Sequence, residues 1–70
     1  MVTRINKTLA FGEKLKRLRE AAGLSVSQLA VAAGVQRQSI YRFEDGANKP
    51  TADVLFRLAD ALKVSAEELR

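Results

Sequence analysis

Between positions 36 and 42 the chain carries Gln36, Arg37, Gln38, Tyr41 and Arg42, residue types able to read the edges of paired bases. An arginine guanidinium is a planar fork that matches the O6 and N7 acceptors of guanine, and a glutamine amide matches the N7 acceptor and N6 donor of adenine. A tyrosine in such company can stack on a sugar, touch a thymine methyl or cover the edge of a core. Ser25, Ser27, Ser39, Asn48 and Lys49 add hydroxyl, amide and ammonium donors of the kind that grip phosphate oxygens. On a plain solvated helix face the same side chains would do no chemistry, so their value depends on the elements that position them.

Composition removes most other chemistries. The chain has no cysteine and no histidine. Disulfides, thiolate metal sites, imidazole acid–base catalysis and nucleophile–histidine sets are therefore ruled out. No paired carboxylates stand at a useful spacing, so neither catalytic residues, metal ligands, a cofactor nor a small-molecule ligand is expected, and the chain does not read as an enzyme. Twelve lysines and arginines against eight acidic residues leave a net charge of +4. The excess is local: residues 1–50 hold nine basic and four acidic side chains, and residues 51–70 hold three and four. A basic front of this kind suits a polyanionic partner, nucleic acid before membrane. No stretch approaches the roughly 18 to 20 apolar residues that span a bilayer. Residues 1–12 lack an apolar run of signal-peptide length, and the cysteine-free composition fits a cytoplasmic location.

Seventy residues, 47% hydrophobic and 29% charged, make one globular domain. Gly23, Gly34, Gly46 and Pro50 divide the chain into segments too short for βαβ units, and strand-like alternation is nearly absent. An all-α fold of five helices is predicted. The first spans about 9–22, with Phe11, Leu15, Leu18 and Ala22 on one face and Gly23 as a left-handed stop. The second spans about 26–33, opened by Ser25 and Gln28 as a capping box and closed by Gly34. The third spans about 37–44, with Ile40 and Phe43 inward and Gln36 as a poor cap. The fourth spans about 52–62, capped by Thr51, with Leu55, Leu58, Ala59 and Leu62 as its stripe. A single turn from Ser65, anchored by Leu69, makes the fifth. Residues 1–8 form a flexible N-terminal arm, basic through Arg4 and Lys7, ahead of a domain at 9–70.

The second and third helices, joined by a tight turn, have the makings of a helix-turn-helix unit. Such a unit needs a small residue where its helices cross, which Ala30 supplies. It needs a residue tolerant of positive φ in the turn, which Gly34 supplies. Apolar residues where the helices meet are Leu29, Ala33, Val35, Ile40 and Phe43. With Ile40 and Phe43 turned inward, Arg37, Gln38, Tyr41 and Arg42 face outward and Gln36 sits at the tip. The free N–H groups at the start of the second helix, around Ser25 and Val26, form an anion clamp. Lys14, Lys16 and Arg17 read either as long-range attraction for a polyanion or as a solvated face paired with Glu13 and Glu20. Phe56 and Val54 stand off the stripe of the fourth helix; they read as a contact for a second copy, with core packing as the alternative.

The chain resembles the phage repressor and Cro-type (Xre-type) helix-turn-helix family, with its lambda-repressor-like fold, from about Phe11 to Leu69. The resemblance rests on Leu15-Lys16-Arg17-Leu18-Arg19-Glu20, Gly23-Leu24-Ser25, Gln28-Leu29-Ala30 and Gly34-Val35. It continues through Ile40, Glu44-Asp45-Gly46, Pro50-Thr51, Leu58-Ala59 and Leu62-Lys63-Val64-Ser65. It implies a regulator, expected to be a repressor, that binds double-stranded DNA as a homodimer on a palindromic operator. It implies base contacts at Gln36, Arg37, Gln38 and Arg42, with the third helix in the major groove. It also implies an ion pair between Arg19 and Glu44 with a structural role. The family often has glutamine where this chain has Val26, which leaves only the backbone N–H to hold a phosphate there. Some proteins of this fold act instead as antitoxin-like modules that grip a protein partner, and that is the alternative expectation.

Overall fold

The computed structural model describes residues 10–69. The expected arm at residues 1–8, Leu9 and Arg70 lie outside them. Five helices follow in order: α1 (Phe11–Ala21), α2 (Val26–Ala33), α3 (Arg37–Asp45), α4 (Ala52–Leu62) and α5 (Ala66–Leu69).

Local chemistry sets the boundaries. Ser25 Oγ accepts the Gln28 N–H at 3.0 Å, and Gln28 Oε1 accepts the Ser25 N–H at 2.8 Å, so both halves of the capping box are made. At the other end of α2, Gly34 adopts φ 71, which lets the Val35 N–H reach back to the Ala30 carbonyl at 3.0 Å. A side chain at that φ would be strained, so the turn needs glycine. Gln36 makes no side-chain capping bond at the head of α3. Thr51 Oγ1 accepts the Val54 N–H at 3.3 Å and opens α4. The third helix runs through Asp45, one residue beyond the expected end, because Gly46 rather than Glu44 supplies the left-handed stop.

The helices pack in a closed ring: α1 on α3, α3 on α2, α2 on α4, α4 on α5, and α5 back on α1. Leu15, Leu29, Ile40, Leu58 and Leu69 fill its centre with no exposure at all. Ala30 and Ala33 are buried where α2 crosses its neighbours, as the steep crossing requires small side chains. Phe11 and Phe43 meet edge to face with centroids 6.5 Å apart. Phe11 and Leu18 pack partly buried on this core.

Two assignments need correction, Ala22 as inward and Val54 as standing off the core. Ala22 is exposed, because α1 ends at Ala21 and the chain turns away before that side chain can face the core. Val54 packs partly buried on the core, because α4 lies against both α2 and α5 and so buries a wider arc than one stripe. Gly12 is buried on the inner side of α1, and a Cβ there would lie 2.5 Å from the Glu44 carbonyl oxygen and 2.7 Å from that of Phe43. The backbones of α1 and α3 thus approach as closely as they do only because position 12 has no side chain.

Candidate nucleic-acid interface

The inward pair Ile40 and Phe43 fixes the rotation of α3 about its axis. At about 100° per residue, Arg37, Gln38, Tyr41 and Arg42 then span an outward arc of about 140°. All four are exposed, as is Gln36 just before the helix, and Tyr41 keeps 56% of its surface. Four of the five residues singled out by type therefore share one face of α3, and Gln36 stands at its N-terminal tip. No acidic residue occurs between Glu20 and Glu44, so α2 and the first turns of α3 carry no negative side chain; the exposed Asp45 falls within the same outward arc, but at the last turn of α3, away from its leading end.

Around the head of α2, Ser25 and Ser27 are exposed, whereas Val26 is partly buried and turns its side chain to the core. Ser25 uses its hydroxyl on the Gln28 N–H and its carbonyl on the Leu29 N–H, which leaves the first-turn N–H groups of Val26 and Ser27 as donors for an outside acceptor. Ser39 is half-buried on α3, and its N–H donates to the Gln36 carbonyl at 3.0 Å. Asn48 and Lys49 are exposed in the loop after α3, where the Asn48 N–H donates to the Arg42 carbonyl at 3.4 Å. One link was not legible in the sequence: Arg37 Nη1 donates to Ser27 Oγ at 3.4 Å, tying the first turn of α3 to the first turn of α2.

The far end of α3 is braced to α1. Arg19 Nε donates to Glu44 Oε2 at 2.6 Å and Nη2 to Oε1 at 3.2 Å, a two-pronged pair. The third prong, Nη1, donates to the Leu24 carbonyl at 2.9 Å, so the guanidinium joins α1, the loop before α2 and α3. Both side chains are about nine-tenths buried, at 11% and 10% exposure. The hydrogen bond to Glu44 raises the Arg19 pKa above its ordinary value and outweighs the desolvation that opposes it, so the guanidinium stays charged. Elsewhere on the surface α4 exposes Phe56, with 61% of its surface open, beside a shallow groove that also involves Ala59, Val64 and Ala66 and is rimmed by Asp53, Arg57 and Asp60. Among the described residues no helix is long and apolar enough to cross a membrane.

Residues 10–70 match a family model described as a helix-turn-helix domain. An uncharacterised HTH-type transcriptional regulator of Mycobacterium tuberculosis is 45% identical over 58 residues, which is 83% of this chain and 41% of that protein. The restriction-modification controller protein C.AhdI from Aeromonas hydrophila superposes with a TM-score of 0.85 at 34% identity, over 87% of this chain and 92% of the other. The P22 c2 repressor, solved in complex with a synthetic operator, superposes with a TM-score of 0.83 at 26% identity, over 89% and 94%. The chain spans less than half the length of the curated relatives it matches. Five helices around a central turn, a glycine-stopped α2 and a family match over all of the described residues agree: the chain belongs to the helix-turn-helix domain family.

Proposed function

We propose that the chain is a transcriptional repressor that binds double-stranded DNA sequence-specifically, as a homodimer on a palindromic operator. The observation that carries this reading is the exposed row of Arg37, Gln38, Tyr41 and Arg42 on α3, a helix that carries no acidic side chain before Glu44 and Asp45 in its last turn. A surface of two arginines, two glutamines and a tyrosine on the front of a supported helix fits the major groove, which is wide enough for a helix and presents a distinct donor–acceptor pattern for each base pair. Gln36, Arg37, Gln38 and Arg42 reach base edges, and Tyr41 lies over a thymine methyl or a sugar. Ser25, Val26, Ser27, Ser39, Asn48 and Lys49 hold the phosphates that flank the groove, Val26 through its backbone N–H alone. The similarity to a repressor solved on its operator supports the same docking here.

Phe56 supports the dimer. A large apolar side chain on the surface of so small a domain is best covered by a second copy, and two copies related by a twofold axis read two half-sites about one helical turn apart, roughly 34 to 36 Å. Selection of bound oligonucleotides from a random pool tests the reading. It is expected to return a palindromic consensus with that half-site spacing. A chain that enriches no sequence above background would sink it, and a single unrepeated site would sink the dimer.

A further inference from the structure

The link between Arg37 and Ser27 has a bearing on specificity. Arg37 is the first residue of α3 and Ser27 the second of α2, so their contact spans the turn that joins the two helices. Serine is an uncharged acceptor. It takes one hydrogen from the Arg37 Nη1 and leaves the guanidinium with its full charge, and among the described residues no carboxylate pairs with it. The Nε and Nη2 hydrogens, held in plane with the tethered nitrogen, remain as a fork of the width that matches guanine O6 and N7. A hydroxyl also keeps its own hydrogen after accepting one bond, so Ser27 can donate to a phosphate oxygen while it holds the arginine. The neighbouring Val26 offers no polar side chain for either task.

We propose that Ser27 is a positioning residue for base recognition: it orients the Arg37 guanidinium before the duplex arrives and couples that orientation to a phosphate contact. The inference rests on the reading of the chain as a sequence-specific DNA binder and adds to it a residue that sets specificity without touching a base. An arginine side chain has many rotamers to lose on binding, and one already held in the productive orientation loses fewer.

The test compares base preferences of the full chain with those of Ser27→Ala, Ser27→Thr, Arg37→Ala and the Ser27→Ala/Arg37→Ala double variant, each profiled on the same randomised duplex pool. Ser27→Ala is expected to flatten preference at the one or two base pairs that Arg37→Ala also flattens, and to cost about three- to tenfold in affinity for the preferred sequence. Ser27→Thr, which keeps the hydroxyl, is expected to restore the profile. In the Arg37→Ala background the Ser27→Ala change is expected to leave the preference profile as it is and to lower affinity for all sequences alike. The proposal is overturned if Ser27→Ala weakens every sequence by one factor with the profile intact, which marks a phosphate contact alone. It is equally overturned if Arg37→Ala leaves the profile unchanged. A wild-type chain with no preference anywhere overturns the underlying DNA reading, and is told apart from the other results because no variant is needed to see it. Thermal unfolding of the exposed Ser27 variants verifies that each is folded.

Discussion

Arg19 and Glu44 decide more than any other pair. Two charges about nine-tenths removed from water are tolerable only together, and here the guanidinium spends its nitrogens on both carboxylate oxygens and on the Leu24 carbonyl. Replacing Glu44 with glutamine keeps the shape and removes the countercharge. The expected loss is about 3 kcal/mol, the lower end for breaking a buried pair, since both side chains retain some contact with solvent. Urea denaturation checks it, and a midpoint unchanged from wild type would show that the pair is an ordinary surface contact. The sequence offered the two partners only through the family resemblance; their own neighbourhoods, Leu18-Arg19 and Phe43-Glu44, say which side of each helix they border but not that they meet. The Ser27–Arg37 contact was hidden for the same reason. Ten residues separate them, and their proximity depends on the angle at which two helices cross.

At the scale of helices, legibility follows the strength of the local stop and start signals. The ends of α2 and the start of α4 stand where Ser25, Gly34 and Thr51 put them, because each makes its capping bond or its left-handed turn with no help from the rest of the chain. Val54 and Ala22 were misplaced because a stripe drawn on a helical wheel carries no knowledge of how many neighbours a helix has, or of where the chain leaves it. Gly12 is the sharpest case. Its meaning lies wholly in the backbone of another helix, and nothing in the run Phe11-Gly12-Glu13 reveals that. Alanine at position 12 would gain up to about 1 kcal/mol in helix propensity. Against this, its Cβ would meet two carbonyl oxygens of α3 at 2.5 and 2.7 Å, and backbone cannot move aside as a flexible side chain does. Gly12→Ala is therefore expected to destabilise by about 1 to 3 kcal/mol, as overpacking does. A neutral or stabilising result in the same denaturation experiment would show that α1 rides outward without loss.

For the molecule as a whole, the two proposed surfaces, the α3 face and the surroundings of Phe56, lie on different helices and separate cleanly by experiment. Phe56→Lys places a cation beside Asp53 and Asp60 and removes the apolar surface. If a second copy covers Phe56, the variant sediments as a monomer, keeps its stability within about 0.5 kcal/mol, and loses affinity for a two-half-site operator far more than for a single half-site. A large fall in stability would place Phe56 in the core instead. The electrostatic side is read from salt. The logarithm of the binding constant should fall linearly with the logarithm of salt concentration, by about 0.9 for each neutralised phosphate, and Lys49→Ala should reduce that slope by about one. A slope unaffected by Lys49 would remove that loop from the phosphate contacts.

The brace on the trailing end of α3 has one more effect. With Glu44 fastened to Arg19 and the Phe43 and Glu44 carbonyls seated against Gly12, the helix is held at that end by two independent attachments, and tilting it would disrupt both. A recognition surface so mounted does not yield to an ill-fitting groove, so on the proposed reading the duplex does the yielding. Sequences rich in pliant pyrimidine–purine steps would then be favoured at positions that no side chain reaches, their stiffness weighed rather than their hydrogen bonds.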